Sequence, residues 1–153
     1  MPIVSLAEIK TSLKPGRRLL GLDLGSKTIG LAVSDASMIV ASPLETIRRT
    51  KFTKDAEQLE TIIVEQNIGG LVLGMPVSMD GTEGPRCQST RQFATNMLRR
   101  LDIPITYWDE RLSTAAVERF LINEVDMNRK RRGEVIDKMA AAYILQGALD
   151  AQT

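Results

Sequence analysis

The chain reads as an α/β domain, a mixed five-stranded sheet with helices on both faces. Three observations predict this. Arg18 to Leu24 (RLLGLDL) is apolar on both parities, as a strand covered on both faces must be. Further along, strands alternate with helices, which favours parallel crossovers. With 153 residues, 43% of them hydrophobic, the chain is long enough to bury one substantial core.

The elements follow in order. Residues 5–12 form a short helix capped by Ser5, ahead of Pro15 and Gly16. After the first strand, Gly25 to Lys27 make a tight turn, so the first two strands form a hairpin. In the second strand Ile29, Leu31 and Val33 alternate with Gly30, Ala32 and Ser34. This period of two gives one bulky and one small face, and a helix can approach the small face closely. A third strand spans Met38 to Ile47, with Pro43 marking an edge or a bulge. Phe52 to Gln66 is a helix whose Ala56, Leu59, Ile62 and Ile63 recur at helical spacing. Gly70 to Gly74 is a short buried strand, followed by a glycine-bearing loop. Pro85 opens a helix that runs to about Arg100, with Phe93, Met97 and Leu101 as its apolar stripe. Ile103 to Trp108 is the last strand. Ser113 or Thr114 caps a helix with Val117, Phe120, Leu121 and Val125 inward; residues 126–133 are a basic connector, and Glu134 to Leu149 is the final helix.

Composition excludes several chemistries. Lys+Arg is 20 and Asp+Glu is 19, a net charge of +1, so any nucleic-acid signal must be local. There is no histidine, which removes a Ser-His-Asp triad, a Cys-His pair, a histidine base and a histidine-ligated zinc site. The single Cys87 excludes an internal disulfide and a Cys-x-x-Cys motif. A hydrolase of this composition works through carboxylates and a hard metal ion. No stretch approaches the roughly 18–20 apolar residues of a membrane span, and the start lacks the pattern of a signal peptide. A cytoplasmic protein is expected.

Three acidic positions are oddly placed. Asp23 interrupts an apolar strand, where a carboxylate is costly unless paired or metal-bound. Asp109 and Glu110 follow the last strand, at the end where open α/β sheets form their sites. Asp137 shares a helix side with Ala140, Ala141, Ile144 and Ala148, a side that presses on the sheet. Taken singly, each has an ordinary explanation: a turn-capping aspartate, a loop pair with Arg111, a boundary ion pair. Taken together they make a site. Converging carboxylates repel one another unless a cation neutralises them. Two Mg²⁺ ions about 4 Å apart would do so, activating a water and stabilising the leaving oxygen of a phosphodiester.

The basic residues supply the other half. Arg129, Lys130, Arg131 and Arg132 stand in a row just before the helix of Asp137, where a phosphate backbone would lie. Arg48, Arg49 and Lys51 form a second cluster, Arg99 and Arg100 a third, and both read first as solvated surface. The loop Gly74 to Pro85 follows a strand and opens a helix, so its amides can meet a phosphate, although a structural turn explains it as well.

Four blocks carry a resemblance: GLDLGSKTIGLAVSD (21–35), GMPVSMDGTEGP (74–85), DERLST (109–114) and RKRRGEVIDKMAAAYILQGALD (129–150). In this order they resemble the bacterial YqgF family, whose members are described as Holliday-junction resolvases or pre-16S rRNA nucleases. The resemblance implies a ribonuclease-H-like fold, with strand order 3-2-1-4-5 and the second strand antiparallel, and a Mg²⁺- or Mn²⁺-dependent nuclease. It implies catalytic and metal-holding carboxylates at Asp23, Glu110 and Asp137; the choice of Glu110 over Asp109 is the family's, not that of spacing. Lys27 and Arg111 are motif positions that can help hold phosphate, beside Arg129, Lys130, Arg131 and Arg132. Residues 1–16, with Lys10 and Lys14, lie outside the shared pattern as an N-terminal extension with no assigned role; residues 17–153 form the single domain.

The expected function is hydrolysis of phosphodiester bonds in 5′-end processing of pre-16S rRNA. Resolution of branched DNA is the alternative, since both substrates are recognised by backbone and shape. A binding factor in ribosome assembly or transcription, without catalysis, would keep the basic patches and not need all three carboxylates. DLGSK (23–27) also resembles the phosphate loop of the actin and sugar-kinase superfamily, but those proteins close two such domains around a nucleotide.

Overall fold

The computed structural model describes residues 3–76, 83–109 and 129–151, with side chains in the last stretch from residue 136. The elements are α1 (Leu6–Ser12), β1 (Arg18–Leu24), β2 (Thr28–Ser34), β3 (Ala41–Arg48), α2 (Phe52–Glu65), β4 (Ile68–Met75), α3 (Pro85–Leu98), β5 (Ile105–Asp109) and α4 (Arg129–Asp150). The sheet order is β3-β2-β1-β4-β5. Strands β1, β4 and β5 run parallel, while β2 is antiparallel to both β1 and β3. This is the mixed sheet, and the order, that the resemblance implies.

Strand alternation sorts the side chains into two layers. Leu20, Leu22 and Leu24 of β1 pack with Ile29, Leu31 and Val33 of β2 against Ala56 and Leu59 of α2 and Phe93 and Met97 of α3. On the other face Leu19, Ala32 and Val72 meet Ala141, Ile144, Leu145 and Ala148 of α4, with Ile9 of α1. The small face of β2 does receive a helix. A Cβ placed on Gly30 would run into the carbonyl oxygen of Asp137, and one on Gly21 would stand 2.8 Å from Leu145 Cβ. Only glycine allows α4 to lie this close.

Ser5 and Glu8 close a capping box on α1: Ser5 Oγ accepts from the Glu8 amide at 3.1 Å, and Glu8 Oε1 accepts from the Ser5 amide at 3.4 Å. The segment is tied to the rest of the molecule. The Val4 amide donates to Ile105 O at 2.9 Å, and Ile9 is fully buried. Lys10 Nζ donates to Leu149 O at 3.3 Å and Ala151 O at 2.9 Å, at the end of α4 where a helix favours a cation.

β4 runs from Ile68 to Met75, longer at both ends than the Gly70 to Gly74 of the sequence reading, and β5 spans Ile105 to Asp109 rather than Ile103 to Trp108. Two further boundary differences have clear physical causes. β3 begins at Ala41 rather than Met38, because Asp35 holds the preceding residues in a turn. Its Oδ1 accepts from the amides of Ile39 at 2.8 Å and Val40 at 3.0 Å, and Met38 adopts a left-handed φ of 61°. The bulge expected at Pro43 is present: Leu31 pairs with Glu45 and Ala32 with Pro43, leaving Leu44 as the extra residue. The second difference lies in residues 126–133, read as a connector. The chain is helical from Arg129, so the basic run belongs to α4. Arg and Lys are good helix formers, and the cost of Gly133, about 1 kcal/mol, does not interrupt it. The helix expected after Ser113 or Thr114 lies outside the described residues.

Hydrogen bonds from the Val40 amide, the larger effect, and from the Ile39 amide lower the pKa of Asp35 from its ordinary value. A carboxyl group lowered on folding adds stability above its unfolded pKa and loses it as pH falls through the folded value. Asp35→Ala is therefore expected to lower the melting temperature at neutral pH, with the difference from wild type closing in acid below the usual carboxylate range.

Candidate functional site

The parallel strands β1, β4 and β5 end at the same edge of the sheet, where the candidate residues of β1 and β5 stand. Asp23 is the last but one residue of β1 and pairs across the hairpin with Gly30. Paired residues on antiparallel strands project to the same face. For Asp23 that is the face of Gly21, which is the face covered by α4. The backbone of Asp137 rests directly on Gly30, so two aspartates 114 residues apart in the chain are brought to one side of the sheet. Thr28, two residues before Gly30 and on the same face, donates its hydroxyl to Asp137 Oδ2 at 2.6 Å. Both aspartates are half-buried.

The last strand sets the direction of Asp109, the acidic candidate at its end. Trp108 lies against Gly147 of α4, where a Cβ would come within 2.8 Å of the indole nitrogen. Tyr107 packs with the opposite layer, beside α2 and α3. Alternation therefore turns Asp109 away from the face that carries Asp23. Glu110 and Arg111 lie outside the described residues. Arg129, Lys130, Arg131 and Arg132 open the helix that carries Asp137. Arg129 precedes Asp137 by eight residues, about 12 Å of helix rise.

Beside Asp137 a cleft of about 850 Å³ opens between the β1–β2 turn, the end of β3 and the start of α3. Among the described residues its cations are Lys27, Arg49 and Arg86; Ser26, Thr28, Thr50, Ser89 and Thr90 add hydroxyls. Lys27 sits exposed in the hairpin turn, as the sequence places it. Arg49 comes from the second basic cluster, which reads as surface in the sequence, and Arg86 stands in no cluster at all. Arg49 donates from Nη1 to Gly25 O at 2.6 Å and lies 5.8 Å from the Phe93 ring centroid. Arg86 donates from Nη2 to Leu24 O at 3.4 Å. The available sequence signals are a basic pair at a strand end and an arginine one residue after the helix-opening Pro85.

Among the described residues, no group of three or more His, Cys, Asp or Glu side chains is arranged to hold a metal ion. The described residues supply two carboxylates, Asp23 and Asp137, to this face. Their donor chemistry, oxygen only and without histidine, fits a hard divalent ion such as Mg²⁺ or Mn²⁺. No helix among the described residues is long and apolar enough to cross a membrane.

A protein of Paramagnetospirillum magneticum named "Putative pre-16S rRNA nuclease" is 66% identical over 150 residues, covering 98% of this chain and 96% of the relative. One of the same name from Rhodospirillum rubrum is 59% identical over 151 residues, covering 99% and 94%. Among solved structures, Thermus thermophilus RuvC in complex with a Holliday junction substrate superposes with a TM-score of 0.54 at 13% identity, over 87% of this chain and 93% of that one. The yeast mitochondrial Holliday junction resolvase Ydc2 gives 0.52 at 15% identity, over 94% and 82%. These two likenesses establish the ribonuclease-H-like fold. Residues 17–151 match the family described as "RuvX: Holliday junction resolvase", and the chain belongs to that family, RuvX (YqgF).

Proposed function

We propose that the chain is a divalent-metal-dependent nuclease that hydrolyses phosphodiester bonds in 5′-end processing of pre-16S rRNA, in the cytoplasm. The observation that carries this reading is the placement of Asp23 and Asp137 on one face of the sheet, on either side of Gly30. Glu110 is the third carboxylate; the turn of Asp109 toward the opposite layer favours it over its neighbour. The names of the relatives at 66% and 59% identity support the RNA substrate. The family description favours a second reading, cleavage of a four-way DNA junction.

The chain's own residues have distinct tasks. Asp23 and Asp137, with Glu110, would hold a divalent ion. A bound Mg²⁺ or Mn²⁺ supplies an activated water and neutralises charge on the phosphoryl oxygens. Thr28 fixes the orientation of the Asp137 carboxylate through its hydroxyl. Lys27, Arg111 and the run Arg129, Lys130, Arg131 and Arg132 hold the nucleic-acid backbone by its charge.

The test is cleavage of a labelled precursor leader RNA and a four-way DNA junction, with Mg²⁺, with Mn²⁺ and with chelator. Cleavage of the RNA that stops on chelation and returns with either ion is expected. Cleavage of the junction alone supports the second reading. Binding without cleavage of either substrate identifies a non-catalytic factor and overturns both.

A further inference from the structure

We propose that Arg49 and Arg86 form a phosphate station in the cleft beside Asp137, which grips the strand by its backbone next to the carboxylate face. This deepens the nuclease reading and rests on it for the identity of the ligand. Both guanidinium groups are anchored on carbonyls of the two residues that follow Asp23: Arg86 on Leu24, Arg49 on Gly25. A guanidinium has five N–H donors, so each anchor leaves donors for an anion. Arg49 is further held over Phe93, and Thr50 beside it is fixed by its amide to Asp55 Oδ1 at 3.1 Å. Asp55 is itself only 3% exposed. The two arginines are thus set in place before any ligand arrives, which lowers the ordering cost of binding.

The shape of the cleft points to a polymer backbone. It is open, shares Asp137 with the carboxylate face, and has no aromatic residue in its described lining on which a base can stack. Its donors suit phosphate oxygens and carry no base-reading pattern. The contact is therefore expected to be independent of sequence and common to RNA and DNA.

Binding of labelled leader RNA and of a four-way DNA junction, measured without metal across a salt series, tests this. Arg49→Gln, Arg49→Lys and Arg86→Gln are compared with Arg17→Gln, a charge removed roughly 20 Å away at the far end of β1. Melting curves identify any variant that does not fold; Arg86→Gln and Arg49→Lys then carry the test. Each Gln variant is expected to bind about tenfold more weakly, with a salt slope reduced by about 0.7–0.9, while Arg17→Gln stays near wild type. Arg49→Lys is expected to keep the slope and recover part of the affinity. Variants at 49 and 86 that match Arg17→Gln in affinity and slope overturn the proposal. Because no metal is present, these results are independent of cleavage: wild type that binds through both arginines yet never cleaves removes the nuclease reading alone. Wild type that binds neither nucleic acid overturns both.

Discussion

Asp23→Asn is expected to fold as wild type does and to cleave about 10³-fold more slowly in Mg²⁺. Asparagine keeps the shape of the side chain and removes its charge. The strand pairing of residue 23 with Gly30 uses the backbone and survives the change. What is lost is one of the proposed hard oxygen ligands on the α4 face. Charge neutralisation of this kind is worth several kcal/mol in the transition state, at about 1.4 kcal/mol for each factor of ten. Single-turnover cleavage with a melting curve beside it makes the measurement. A variant that cleaves at the wild-type rate ends the proposed mechanism.

Gly30→Ala is expected to cost about 3 kcal/mol or more, a fall in melting temperature of roughly 6–12 °C. Alanine in a strand is ordinarily harmless, and the cost here comes from position. The new Cβ would overlap the carbonyl oxygen and carbon of Asp137, neither of which can turn aside as a side chain can. Either β2 or α4 must shift. A shift of α4 carries Asp137 away from Asp23, so cleavage should fall even in the fraction that folds. Gly21→Ala is the comparison: its new Cβ meets Leu145 Cβ at 2.8 Å and Ala141 O at 3.1 Å, a milder clash. Equal stability of wild type and Gly30→Ala would show that α4 does not rest on β2 as described.

Much of this arrangement is legible in the sequence because it rests on local periodicity. The alternation of Ile29, Leu31 and Val33 with Gly30, Ala32 and Ser34 announces a close helix, and Asp23 stands out against an apolar strand. Spacing alone places Asp137 on the buried side of its helix. The parts that escape depend on contacts between segments that no period relates. Asp35 delays β3 by capturing amides four and five residues ahead. Arg86 belongs to the cleft because a carbonyl 62 residues away receives its guanidinium. Arg49 reads as ordinary surface for the same reason, since its carbonyl partner lies 24 residues back in the hairpin turn. A physical choice between Asp109 and Glu110 needs the side to which Trp108 turns, which only the packed helix reveals.

The lysine clasp between α1 and α4 has a practical consequence. Lys10 reaches the carbonyls of Leu149 and Ala151, so the first and last described segments sit together at one pole. From Asp137 to Asp150 the helix rises about 20 Å, which sets that pole well apart from the carboxylates. Tethering the protein to a bead or a fluorophore through either terminal segment should leave the working mouth facing outward.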